Sequence, residues 1–209
     1  MKNIQLDDII SMVDQKLTYA QIAQHYGVNQ GTIYNMIKRD KAKRFKRPIK
    51  MAQAVIKQHL IKSPPINLTN ISKKEGFSIF YQKLPHNISG IIENTLNEKN
   101  IFINKEHMPT RQRFSLAHEL GHHFLDHFTT EAHKDTTTIF RREGEVLPID
   151  REANRFAAEL LMPSAFLRKE IALKKKEIDH DVLEDLAKIF QVSVIALTYR
   201  LQNLNFELL

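Results

Sequence analysis

Apolar residues recur at helical spacing through Phe114-Ser115-Leu116-Ala117-His118-Glu119-Leu120-Gly121-His122-His123-Phe124-Leu125. A helix stacks residues four apart on one face, so His118 and His122 converge on one point, a turn apart. Two imidazoles so placed can bind one zinc ion. Glu119, next to the first, can take a proton from a water held beside them. The pentad therefore points to metal-assisted hydrolysis of a peptide bond. It also constrains the fold, because this helix must meet a further metal ligand from another part of the chain.

The chain has no cysteine, so that ligand is a His, Asp or Glu. The elongated motif of the metzincins needs a glycine three residues after the second histidine and another histidine three further on. Leu125 and Phe128 occupy those places, and His127 and His133 lack the spacing. Downstream, Asp150-Arg151-Glu152-Ala153-Asn154-Arg155-Phe156-Ala157-Ala158-Glu159-Leu160-Leu161-Met162-Pro163 reads as a second helix with an apolar face of Ala153, Phe156, Ala157, Leu160 and Leu161. Glu152 lies beside that face and can project toward the first helix, where a metal would compensate its burial. The other reading makes it a surface residue of a charged first turn. Asp150 is expected at the helix start, where it favours the dipole. Gly121 is expected to leave room near the metal, and His123 to point off the metal-binding face. Asp126 or nearby carbonyls are candidates to orient the imidazoles.

At 209 residues the chain has room for a substantial domain and a small accessory module. Hydrophobic residues at 42% and charged residues at 26% are the balance of a soluble globular protein. There is no apolar run of membrane-spanning length and no signal-like start, so a cytoplasmic protein with no membrane partner is expected. The net charge of +7 is uneven. Residues 1–50 carry ten Lys or Arg against four Asp or Glu, whereas the remainder carries 21 against 20. A basic end on a near-neutral body suggests two modules, one of which meets phosphate.

The basic end has its own signals. Thr18 can cap a helix and Gln21 completes a capping box, with Leu17 and Ile22 at the hydrophobic-staple positions. That helix should end near Tyr26, with Gly27 at positive φ. Asn29 can cap a second helix with Ile33, Met36 and Ile37 inward, and Ala23 supplies a small residue where the two cross. Helix, glycine turn, helix is similar to the helix-turn-helix regulators. Double-stranded DNA is then the expected partner, with Asn29, Gln30, Tyr34 and Asn35 toward base edges and Lys38, Arg39, Lys41, Lys43 and Arg44 against phosphates. The alternative is a small helical packing module with a solvated charge run.

Pro48 is expected to interrupt the chain, with one domain over residues 1–48 and a second over 49–209. Residues 49–61 have helical periodicity. Ser63-Pro64-Pro65 reads as a cap followed by prolines at the first helical positions, with Gly76 closing that helix. Residues 77–82, 90–96 and 101–104 read as strands, the last two joined by a polar turn at 97–100. The expected fold class is α+β, a small antiparallel sheet ahead of the His118 helix. A free edge of that sheet could hold an extended peptide.

The block Phe114-Ser115-Leu116-Ala117-His118-Glu119-Leu120-Gly121-His122, followed by Glu152-Ala153-Asn154-Arg155-Phe156-Ala157-Ala158-Glu159-Leu160-Leu161-Met162-Pro163, closely resembles the ImmA/IrrE zinc metallopeptidases. The likeness runs from about residue 64 to the C-terminus. It implies a zincin-like domain in which His118, His122 and Glu152 bind zinc and Glu119 is the catalytic base. It also implies a protein substrate, a helix-turn-helix repressor or an antitoxin, and a phage or mobile-element origin. His133, His180 and Tyr199 are candidates to stabilise the oxyanion. The alternatives are a non-catalytic DNA-binding regulator with a structural metal site, or the toxin-like half of a two-gene pair. Residues 183–201 again read as two helices around a turn and are expected to pack within the second domain.

Overall fold

The computed structural model describes residues 4–95, 98–127, 148–174 and 177–209, without the side chains of Asp7, Asp14 and Arg44. The chain divides into two compact units, Met1–Arg47 and Pro48–Leu209. Among the described residues no helix is long and apolar enough to cross a membrane.

The first unit holds α1 (Leu6–Asp14), α2 (Tyr19–Tyr26) and the start of α3 (Gln30–Gln58). Thr18 and Gln21 form the reciprocal capping box at the start of α2. Gly27 ends the helix in the left-handed region, at φ 66°, and Val28 N–H bonds the Ala23 carbonyl at 3.0 Å. Asn29 Oδ1 accepts from Gly31 N–H at 2.7 Å and opens α3. Ile9, Ile22, Ala23, Ile33 and Ile37 close into a small core. Contrary to the expected interruption, α3 carries Pro48 in its interior. Proline there forfeits one helical hydrogen bond, and burial along the second half of the helix, at Ala52 and Val55, offsets that cost.

In the second unit α4 runs Leu68–Lys74 and is capped by Asn67, whose Oδ1 accepts from Asn70 N–H at 2.9 Å. The helix begins later than the Ser63 cap predicted, because Ser63 and Pro64 each precede a proline and are pushed out of helical conformation. Strands β1 (Ser78–Gln82), β2 (Gly90–Asn94) and β3 (Lys99–Asn104) form one sheet in the order β1-β3-β2. The β2–β3 pair is an antiparallel hairpin, but β1 runs parallel to β3, so the expected all-antiparallel sheet is corrected to a mixed one. Buried Asn104 fixes the loop that follows β1. The Asn104 Nδ2 donates to the carbonyls of Leu84, Pro85 and Ile88. Those bonds gather the connection after β1 into a compact loop that carries the chain past β3 before β2 begins.

Helix α5 (Pro109–Phe124) packs under the sheet and against α6 (Pro148–Leu161). The α6 face of Ala153, Phe156, Ala157, Leu160 and Leu161 is fully buried, as its periodicity predicts. Gly121 lets the two helices approach: a Cβ there would lie 3.1 Å from Ala153 Cα and from Phe156 Cδ1. Its room is thus filled by α6 rather than left at the metal.

Helices α7 (Ser164–Lys174), α8 (His180–Phe190) and α9 (Val194–Asn203) complete the unit. The α8–α9 turn repeats the geometry of the first unit. Gln191 takes φ 54°, Val192 N–H bonds the Ala187 carbonyl, and Ser193 caps α9. Leu183, Leu186, Phe190, Leu197 and Leu201 bury both helices in the core. From α9, Arg200 forms a buried ion pair with Glu159 of α6 and donates Nε–H to the Met162 carbonyl. Gln53 Nε2 satisfies the other Glu159 oxygen at 2.9 Å. Arg200→Ala leaves that carboxylate uncompensated and is expected to cost about 3–5 kcal/mol, read as a lowered midpoint in urea unfolding. An unfolding midpoint equal to wild type would show that the pair does not hold α9 in place.

Candidate metal centre

The pentad lies in α5, and its two histidines converge as the helical spacing requires. His118 Nε2 is 3.0 Å from His122 Nε2. A carboxylate from the first turn of α6 completes the group: Asp150 Oδ1 lies 3.9 Å from His118 Nε2 and 3.5 Å from His122 Nε2. Among the described residues His118, His122 and Asp150 form a cluster with the geometry of a metal site. A tetrahedral ion about 2.0–2.1 Å from each donor sets its donors about 3.3 Å apart, a value the three edges here bracket.

Proton placement supports the same reading. Asn154 Oδ1 lies 2.9 Å from His118 Nδ1 and accepts its proton, so the His118 lone pair is on Nε2 and faces the cluster. His122, with no exposed surface, uses Nδ1 toward His127 Nδ1 at 2.9 Å and so presents Nε2 to the same point. Two imidazole nitrogens and a carboxylate oxygen turned on one another are a donor set that a divalent cation suits.

Glu152, the expected third ligand, is not in this cluster. Its Oε2 is 3.6 Å from His127 Nε2. Helical phase explains the difference, since residues two apart on a helix point about 200° apart. Asp150 and Asn154, four apart, share the face turned to His118 and His122, while Glu152 shares the face of buried Phe156. Sequence reasoning placed Asp150 in the first turn of α6, where it lies, but did not foresee that its carboxylate faces His118 and His122. It also did not name Asn154 and His127 as the groups whose side chains contact the two imidazoles. The four-residue spacing of Asp150 and Asn154 was the available signal.

Glu119 is buried and faces β2. A Cβ on Gly90 would lie 2.7 Å from Glu119 Oε1, so the absence of a side chain at Gly90 makes room for that carboxylate. Asn104 N–H bonds the Ser89 carbonyl, which puts residues 89, 91 and 93 in hydrogen-bonded pairs with β3. The backbone groups of Gly90 and Ile92 therefore point to the opposite edge, with which no strand pairs among the described residues. The β2 edge next to Gly90 and Glu119 is thus unpaired with any other strand among the described residues.

Around the centre, His123 turns away from the cluster and bonds Glu75 at 3.2 Å, edge-on to Phe77. Burial lowers its pKa below the usual imidazole value, and the Glu75 hydrogen bond partly restores it. Neither His180, paired with Glu184, nor exposed Tyr199 joins the cluster, and His133 lies outside the described residues. In the first unit Asn29, Gln30, Tyr34, Asn35, Lys38, Arg39, Lys41 and Lys43 are all exposed, and Lys38 Nζ lies over the Tyr34 ring at 5.8 Å. Asn29 also spends its side-chain oxygen on the α3 cap. The Arg44 side chain lies outside the description.

The family model of the IrrE N-terminal-like domain, Peptidase M78, matches residues 73–202, more than half of the chain. The chain belongs to this ImmA/IrrE family. Membership suggests a metallopeptidase-like or regulatory function. No curated protein sequence matches the chain significantly. A solved structure of a Mycobacterium tuberculosis transcriptional regulator is similar at 19% identity and a TM-score of 0.53, covering 75% of this chain and 46% of that one. At that identity the likeness concerns the fold, and the chain spans less than half the regulator's length.

Proposed function

We propose that the protein is a cytoplasmic zinc endopeptidase, of phage or mobile-element origin, that cleaves a helix-turn-helix repressor or an antitoxin. The observation that carries this reading is the His118–His122–Asp150 donor triangle on the helix that also carries the buried Glu119, whose carboxylate lies against Gly90 of β2. In a site that only holds metal, Glu119 would have no work.

His118 and His122 would hold the zinc through Nε2, with Asp150 as the third protein donor. Glu152, which the family resemblance assigns to that place, stands behind His122 instead. Zinc, when bound there, supplies the Lewis acidity that makes water a nucleophile near neutral pH and polarises a peptide carbonyl. The β2 edge aligns an extended segment of the substrate through the backbone of Gly90 and Ile92. Glu119 accepts the proton of the attacking water on a carboxylate oxygen and passes it to the departing amine nitrogen. Co-expression with neighbouring helix-turn-helix repressors, comparing wild type with Glu119→Gln, tests the reading. Loss of a repressor only with wild type supports it, and intact repressors in both rule it out.

The exposed cations of α3 favour a second role, binding double-stranded DNA. The Mycobacterium tuberculosis neighbour is called a transcriptional regulator, and a regulator that never cleaves is the competing reading. Binding of the full chain to the DNA upstream of its gene should weaken steeply between 50 and 200 mM salt, conditions chosen from the usual salt response. Lys41→Gln with Lys43→Gln should lower the slope of log K against log salt by about one per lost phosphate contact. Absence of binding at low salt, measured by fluorescence anisotropy, would leave the module as a protein-docking element.

A further inference from the structure

His127 was not singled out by any motif, yet it is buried against the best-placed histidine of the centre. Its Nδ1 lies 2.9 Å from His122 Nδ1, and its Nε2 lies 3.6 Å from Glu152 Oε2. The three side chains are almost wholly withdrawn from water, at 0% exposure for His122, 4% for His127 and 10% for Glu152. The rings of His122 and His127 meet nearly edge-on, with centroids 5.0 Å apart.

Only one proton can occupy the line between two Nδ1 atoms. If His127 donates it, His122 must carry its own proton on Nε2, the nitrogen turned to His118 and Asp150, and cannot act as a donor there. If His122 donates it, the His122 lone pair is on Nε2. Asp150 Oδ1 and His118 Nε2, 3.5 and 3.0 Å from His122 Nε2, favour the first arrangement when no cation lies between them. The Glu152 carboxylate opposes them: at 3.6 Å its charge faces His127 Nε2, favours the His127 proton on that nitrogen and leaves His127 Nδ1 as the acceptor.

We propose that His127 and Glu152 are positioning residues for the metal centre, a carboxylate–imidazole relay that fixes His122 as its Nδ1–H tautomer and so directs its Nε2 lone pair at the metal. This rests on the metal reading given above and deepens it. It assigns the α6 carboxylates distinct tasks: Asp150 donates directly, and Glu152 acts through two imidazoles. On the other side of the centre Asn154 does the same for His118. Both imidazoles are thus set by groups outside the donor triangle, the arrangement that makes metal-binding histidines better donors.

The test uses the full chain. With the protein free of metal and at a pH where imidazoles are neutral, the imidazole ¹⁵N shifts of His122 should report the Nδ1–H tautomer. His127→Leu should mix or invert it. His127→Asn should preserve it, because the amide oxygen can accept the same proton. Zinc affinity by chelator competition should fall roughly 10–100-fold in His127→Leu and in Glu152→Gln, and recover in His127→Asn.

An Nε2–H tautomer in wild type overturns the relay whether or not any variant folds. So does an unchanged tautomer and zinc affinity in His127→Leu. Complete loss of zinc from Glu152→Gln would make Glu152 a direct ligand and also overturn it. If wild type takes up no zinc, the metal reading fails by itself, and the tautomer of the metal-free protein still decides the relay.

Discussion

Glu119→Gln should abolish cleavage of the cognate substrate while the protein still folds and still takes up zinc. The amide has nearly the shape of the carboxylate, so the cavity that Gly90 leaves for it remains filled. What the amide lacks is a basic oxygen to receive a proton. A positioned general base contributes roughly 10²–10⁴-fold to rate, and loss of that order should bring the proposed cleavage close to background. Fragment appearance measured on purified substrate, with zinc content measured on the same samples, separates the chemical step from metal loss. Residual cleavage within a few-fold of wild type would show that Glu119 is not the base, and the argument from its burial beside Gly90 would fall.

Removal of a donor should have the larger effect on metal. His118→Ala and Asp150→Asn each break the triangle of edges 3.0, 3.5 and 3.9 Å. A site with three protein donors has no spare one, so zinc stoichiometry should fall toward zero after dialysis. The loss of affinity should go well beyond the roughly 10–100-fold that changes outside the coordination shell cost. Mass spectrometry of the native protein reads this directly. Full zinc occupancy in Asp150→Asn would return the third position to Glu152 and would mean that α6 turns about its axis when metal binds.

Much of this was readable from the chain because it is local. The capping box of Thr18 and Gln21 and the left-handed Gly27 involve residues within four positions of one another. So does the convergence of His118 and His122, and each outcome follows from backbone geometry alone. The buried face of α6 was equally plain, since its apolar residues repeat with the helical period. The direction of β1 was not legible. Alternation of residues looks the same in parallel and antiparallel pairs, and the connection after β1 is held by long-range bonds from one buried side chain, Asn104, to carbonyls 16 to 20 residues away. Pro48 was misread for a related reason: a proline's local preference argues for a break, and packing further along the helix outweighs it.

The sequence by itself determined the chemistry on offer, two imidazoles and a carboxylate at helical spacing, without thiolates, joined to a basic N-terminal module. Only the tertiary structure decided which partners meet that chemistry. The choice between Asp150 and Glu152 depends on how α6 is rotated about its axis, and that rotation is set by Gly121 meeting Ala153 and Phe156 across the α5–α6 contact. The approach of Asn154 to His118 and of Glu152 to His127 belongs to the same pairing of helices. Helical spacing says which residues share a face, but the face turned inward depends on how two separately coded surfaces pack, and no short stretch of chain contains that information.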